Sequence, residues 1–248
     1  MIHIGTSGWS YKHWRGTFYP TDLKEKDWFS FYRQYFDSVE LNSSFYHLPP
    51  EKTFANWRKA VPDHFLFVVK ASRYITHMKK LHDTQESVDY FFKNVGALKE
   101  KLGPILFQLP PGWQVNAQRL VEFLAYLPRD HRYVFEFRNP TWYAEEVKKT
   151  LEHYNVAFCI YELDRHLSPE WVTADFVYLR LHGPEGKYQG SYTKTTLQQW
   201  AQQCVKWQEQ GKDVYVYFDN DQHGYAAFNA LEIKKEVDAL LSEVKKRE

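Results

Sequence analysis

Eight short apolar runs, spaced by amphipathic stretches from one end of the chain to the other, restrict the fold more than any other feature of this sequence. The runs cover 2–7, 38–45, 65–71, 104–109, 132–138, 156–162, 176–182 and 214–219. They are short and rich in β-branched and aromatic residues, so they read as strands. Helical periodicity separates them. Residues 27–36 carry Trp28, Phe31, Tyr32 and Tyr35; residues 87–102 carry Val88, Phe91, Phe92, Val95 and Leu98. Residues 195–210 carry Leu197, Trp200, Ala201, Cys204 and Trp207, with a capping-box spacing from Thr195 to Gln198 and a stop at Gly211. Ser168-Pro169 reads as the start of a short helix. A final helix from about Tyr225 buries Ala226, Ala230, Ile233, Val237 and Leu241. Eight strands alternating with helices predict a single (β/α)8 TIM-type barrel domain over 1–248, a length common for such barrels. An open doubly wound sheet would carry a phosphate fingerprint after its first strand. Here that turn reads GTSGW, which is neither G-x-G-x-x-G nor a Walker loop, and Trp9 takes the place of the last glycine of a G-x-S-x-G elbow. No cofactor is expected.

Hydrophilic residues sit at the C-terminal ends of these runs. Glu40 and Asn42 close SVELNSSF, Glu136 and Arg138 close YVFEFRN, and Arg180 and His182 close VYLRLHG. Lys70, Gln108 and Asp219 end FLFVVKAS, PILFQLP and VYVYFDN. Side chains alternate faces along a strand, so residues two apart share a face. In a barrel the working groups project from these strand ends. Internal pairing, with Glu136 on Arg138 or Arg180 and Glu40 on Lys70, is expected in any case, because an unpaired buried charge costs roughly 3–5 kcal/mol. Arginine forks suit carboxylate or phosphate groups, which points to an anionic ligand held by Arg138, Arg180 and Lys70. Glu40, Glu136, Asp219 and His182 are the candidate proton carriers, with Lys70 as electrostatic partner or amine nucleophile.

The loop HGPEGKYQGSYTK, with Gly183, Gly186 and Gly190 around Lys187, occupies the position where barrels often bind phosphate. The one long connection, 72–86, carries Arg73, His77, Lys79, Lys80 and His82, and His77 is its best ligand candidate because it follows Lys70 soonest. Among many loop aromatics, Trp9 and Tyr46 are the two expected to touch a ligand, by stacking on a sugar or base.

Basic and acidic residues nearly balance, 32 against 31, which excludes a broadly basic nucleic-acid binder and leaves only local contact with a polyanion. Both cysteines, Cys159 and Cys204, fall on apolar faces and read as small core residues in a reducing compartment. With no signal-like start and no membrane-length apolar run, a cytoplasmic protein without a membrane partner is expected.

The segments GTSGWSYKHWRGTFYP, VELNSSFYHLPP, FLFVVKASRYITH, LGPILFQLPPGW, FEFRNPTW, VYLRLHG and DVYVYFDNDQHGYAAFNA, in this order, resemble the YecE-like family, known as domain of unknown function 72. The resemblance covers nearly the whole chain and implies a fold similar to TIM barrels. It implies no catalytic residue, since the family has no established activity. Its blocks contain Glu40, Asn42, Lys70, His77, Gln108, Glu136, Arg138, Arg180, His182, Asp219 and Asn220. The chain departs from the family's NTFY pattern by reading Asn42-Ser43-Ser44-Phe45-Tyr46, which keeps a hydroxyl at that place.

Three readings stay open on the sequence. The first is an enzyme using acid–base chemistry on a phosphorylated small molecule or nucleic-acid fragment. The second is a divalent-metal hydrolase or isomerase using Glu40, Glu136, His182 and Asp219, opposed by the inward arginines beside those groups. The third is a non-catalytic binding module. The fold itself cannot choose among them.

Overall fold

Strands that are apolar on both faces need cover on both sides, and this chain supplies it by following nearly every strand with a helix. The computed structural model describes residues 1–245. The strands are β1 (Ile2–Thr6), β2 (Ser38–Leu41), β3 (Leu66–Lys70), β4 (Leu102–Leu109), β5 (Tyr133–Phe137), β6 (Ala157–Leu163), β7 (His166–Leu167), β8 (Phe176–Leu181) and β9 (Asp213–Phe218). The hydrogen-bonded order is β1-β9-β8-β6-β5-β4-β3-β2, and the two-residue β7 pairs antiparallel with β6. The eight longer strands form the parallel sheet of a TIM-type α/β barrel. The helices are α1 (Trp28–Tyr32), α2 (Ser43–Tyr46), α3 (Glu51–Lys59), α4 (Gln85–Val95), α5 (Ala117–Tyr126), α6 (Glu145–His153), α7 (Lys194–Glu209) and α8 (Tyr225–Lys245).

The chain packs as two compact units. The first comprises 1–39, 160–168 and 175–248. In it β1, β9 and β8 run in register, Thr6 opposite Phe218 and Leu181 opposite Phe218. The aromatic segment after β1 forms a core of its own: Trp14, Tyr19 and Trp28 are buried, and Tyr19 stacks on Trp28 with centroids 5.0 Å apart. The Tyr32 hydroxyl receives the Thr6 N–H at 3.0 Å and donates to the Ser38 carbonyl at 3.1 Å. A Cβ at Gly5 would lie 2.3 Å from that same carbonyl, so only glycine fits there. Along α8, Ala226, Ala230, Ile233 and Val237 are buried as expected, while Leu241 is half-buried.

The second unit comprises 40–159 and 169–174. Its strands β3, β4 and β5 are parallel, and Phe107, Phe135 and Phe137 form a row whose neighbouring rings stack. Phe123 of α5 and Trp142 close on that row.

Several boundaries differ from those the sequence predicts. β2 ends at Leu41 rather than running to 45, because Asn42 takes a helical conformation and α2 begins at Ser43. The helix expected over 27–36 keeps regular geometry only in α1, and the one expected over 87–102 becomes α4 followed by a 3-10 segment over Gly96–Lys101. The long connection 72–86 contains a π-helical turn, Tyr74–Met78. No helix starts at Ser168-Pro169. Instead the Ser168 hydroxyl accepts the Tyr161 N–H at 2.9 Å, and the Thr173 hydroxyl accepts the Phe158 N–H at 2.8 Å. Residues 168 and 173 thus serve backbone donors of β6 with side-chain oxygens, a use that competes with helix formation.

The cap of α7 is Thr193, not Thr195: the Thr193 hydroxyl accepts the Thr196 N–H at 3.1 Å. Thr193→Ala should lower unfolding stability by about 1 kcal/mol in urea titration. Thr195→Ala should stay within about 0.5 kcal/mol of the parent.

Candidate functional site

In the first unit the strand ends of β8 and β9 build a set of polar contacts. Arg180 and His182 are wholly buried, and Asp219 keeps a narrow exposure of 15%. One Arg180 nitrogen lies 3.2 Å from Asp219 Oδ2 and 3.5 Å from the Ser7 hydroxyl; another lies 3.3 Å from His182 Nε2. A guanidinium only donates, so Nε2 must accept, and the neutral ring carries its proton on Nδ1. That nitrogen lies 3.1 Å from Asp219 Oδ2. Backbone register brings the groups together. The Asp219 N–H bonds the Leu181 carbonyl, the Ser7 N–H bonds the Phe218 carbonyl, and the His182 N–H bonds the Glu162 carbonyl.

Two residues beyond Asp219 stands a second carboxylate that the strand-end reading omits. Asp221 Oδ1 accepts from Trp14 Nε1 at 2.5 Å, and Oδ2 lies 2.9 Å from His13 Nε2. Burial raises its pKa from 3.8 to about 6; the Asp219 charge adds to the rise, while the Trp14 and His13 contacts restrain it. The sequence signal was present: Asp219 and Asp221 continue the two-residue spacing past the end of the strand. Glu162, half-buried in β6, is also raised by burial, against a bond from Tyr192.

The second unit holds its own cluster. Glu136 is fully buried at the end of β5 and is bound by Arg138 Nε, the pairing expected from the sequence. Cys159 Sγ lies 3.9 Å from its other oxygen, so this core thiol also touches the carboxylate. Gln108 stands opposite Glu136 in the β4–β5 register and donates to the Leu109 carbonyl. Lys70 Nζ sits 4.4 Å above the Phe45 ring, a cation–π contact, and the Ser44 hydroxyl donates to the Lys70 carbonyl at 2.7 Å. His77 meets the other side of this arrangement, its ring edge-on to Phe45 at 5.0 Å and its Nδ1 2.9 Å from the Thr76 hydroxyl. Burial lowers the His77 pKa to about 4; Lys70 and Arg73 push it further down, and Glu136 opposes them. Arg73, passed over on the sequence in favour of His77, therefore belongs to this cluster electrically.

The remaining candidates divide. Glu40 is buried at the end of β2, and Asn42 lies just past it, half-buried. Tyr46 is 74% exposed, with its ring edge-on to Phe45. Trp9 packs on Phe29 at 4.6 Å. The buried Asn220 donates its amide N–H groups to the Gly190 carbonyl at 2.9 Å and to Asn229 Oδ1 at 2.8 Å. Lys187 is exposed, its ammonium 4.0 Å from Asp164. In the glycine-rich loop, the N–H groups of Gly183 and Gly190 already donate to Tyr192 and Gln222 side chains. Those two N–H groups are therefore not open to a phosphate. Among the described residues, no three His, Cys, Asp or Glu side chains group as a metal ligand set, and no helix is long and apolar enough to cross a membrane.

The model of a family described as "Protein of unknown function DUF72" matches residues 3–248. UPF0759 protein YunF of Bacillus subtilis is 26% identical over 96% of this chain and 95% of its own length. UPF0759 protein YecE of Escherichia coli K12 is 31% identical over 61% of this chain, a match that spans 54% of YecE. The crystal structure of a DUF72 family protein from Thermotoga maritima superposes with a TM-score of 0.85 at 30% identity, covering 96% of this chain and 99% of that one.

Two titrations check these environments. The His77 ring should titrate by NMR near pH 4, and Lys70→Ala should raise that midpoint. Its depressed value stabilises the fold above pH 6.5, and the benefit is lost as the pH falls through about 4. Asp221 should titrate near pH 6. Raised above the ordinary 3.8, it favours the fold below that pH, and the favour is lost as the pH rises through about 6. Asp221→Asn should consequently gain on the order of 1 kcal/mol over the parent above pH 6, and nothing at pH 3.5.

Proposed function

This chain belongs to the DUF72 family, and on that footing we propose that it is an enzyme that moves protons on a small anionic substrate. The observation that carries the reading is the pair Asp219 and Asp221. They stand two residues apart in the first unit in unlike surroundings, one against the Arg180 guanidinium and His182, the other half-buried against Trp14 and His13 with a pKa of about 6. Carboxylates whose environments separate their proton affinities are the usual acid and base of one reaction. Asp221, still partly protonated near neutral pH, is the proton donor. Asp219 is the acceptor, and His182, fixed in one tautomer by Arg180, orients it.

Taken by itself, the second unit also favours an anion: burial depresses His77, Lys70 and Arg73 add to the fall, and positive charge of this kind favours a phosphate or carboxylate. A phosphorylated small molecule or a nucleic-acid fragment satisfies that requirement.

The test is a turnover screen of sugar phosphates, nucleotides, short oligonucleotides and carboxylates between pH 5 and 8. One anionic class should be converted, with a rate that falls as a group of pKa near 6 loses its proton. Asp221→Asn should lower the rate by roughly 100-fold or more while the melting temperature holds within a few degrees; Asp219→Asn should lower the rate as much but also the melting temperature, because it removes a counter-charge from the buried Arg180. Saturable binding without conversion would instead make the protein a binding module, and full activity of Asp221→Asn would remove the acid assigned here.

A further inference from the structure

In the second unit, the long connection after β3 and the first turns of α4 enclose a cleft that the acid–base reading does not use. The segment 72–86 is a shaped one. It holds the π-helical turn Tyr74–Met78, closed by the Leu81 N–H on the Ile75 carbonyl at 3.0 Å, and has positive φ at Lys80, Leu81 and Asp83. Positive φ is costly for a residue with a side chain, above all a bulky one, and such backbone gathers at binding and switch sites. The result buries Ile75 and Leu81 and leaves the Tyr74 ring 42% exposed.

Between this turn and α4 lies a space of about 370 Å³. Small-molecule sites run from about 300 to 1,000 Å³. Buried Ile75 and Phe91 give the cleft an apolar floor, and Tyr74 and the 60% exposed Tyr90 add two aromatic rings to its lining. Glu86 and Ser87 stand four residues before Tyr90 and Phe91, so one face of α4 brings all four to the cleft. Ser72 completes the polar set; its hydroxyl accepts the Tyr74 N–H at 3.2 Å and keeps a proton to donate.

Charge decides what fits. An anion would meet the Glu86 carboxylate, and among the described residues no lysine, arginine or histidine lines the cleft. An organic cation would meet the Lys79 ammonium, which already lies 6.0 Å from the centre of the Tyr74 ring. A wholly apolar body would strip water from Glu86 and the serines without replacing its hydrogen bonds. A neutral ring with an apolar face and a hydroxylated edge satisfies both the tyrosines and the oxygens. We propose that this cleft is a second ligand site that takes a gluco-configured pyranose, whose equatorial hydroxyls leave its faces apolar. The ring packs on Tyr74 and Tyr90, and its hydroxyls bond Glu86, Ser72 and Ser87.

Ligand-observed NMR titration of the full chain tests the site with glucose, glucuronate, glucosamine at a pH where it is charged, and cyclohexanol. Glucose should bind saturably in the millimolar range, roughly 10-fold more tightly than the other three. Tyr90→Ala should weaken glucose by roughly 10-fold with the melting temperature held within a few degrees, since that ring packs on the ligand and little else. Glu86→Gln should narrow the gap between glucuronate and glucose. Asp221→Asn should leave glucose affinity as it was. No saturable glucose signal at tens of millimolar, or cyclohexanol binding equally well, would overturn the proposal. So would an inert Tyr90→Ala beside an Asp221→Asn that abolishes binding, because the sugar would then belong to the acid–base cluster.

Discussion

A guanidinium sealed from water keeps its charge and has five N–H donors to place, and Arg180 is such a group. Its acceptors include Asp219, Ser7 and His182, the residues immediately past the ends of β9, β1 and β8. Sliding β1 or β9 against β8 by one residue would turn Ser7 or Asp219 away from Arg180. Leaving the charge without partners costs roughly 3–5 kcal/mol, a large part of the stability of a typical domain. Register in the first unit is therefore tied to the same contacts that fix the His182 tautomer and hold Asp219. The roles proposed for Asp219 and His182 thus rest on the requirement to satisfy one buried cation.

The second unit meets the same constraint differently. Glu136 is as deeply buried as Arg180 and is bound by Arg138, two residues along the same strand end, with Cys159 against its other oxygen. The Lys70 ammonium spreads its charge over the face of Phe45. That aromatic contact leaves the lysine half-buried instead of sealed, and its field reaches His77. A salt bridge between neighbours on one strand end and a cation on a ring are local solutions. They need no particular register, so the electrostatics of this unit tolerate the shift between Phe67 and Val69 in the β3–β4 pairing.

Much of this was legible because strand periodicity is strict. Lys70, Glu136, Arg180, His182 and Asp219 all stand at or next to strand ends, as a period of two requires. What escaped lies where the period stops. Asp221 sits in a turn, and only its distance from Asp219 marked it. Asn42 was read as strand although its backbone is helical, because an apolar run such as LNSSFY fits both periods over so short a length. Thr193, Thr195 and Thr196 are chemically alike, so the sequence could not choose the cap that backbone geometry selects. Ser168-Pro169 carried a helix-start signal, but the Ser168 hydroxyl was needed by β6.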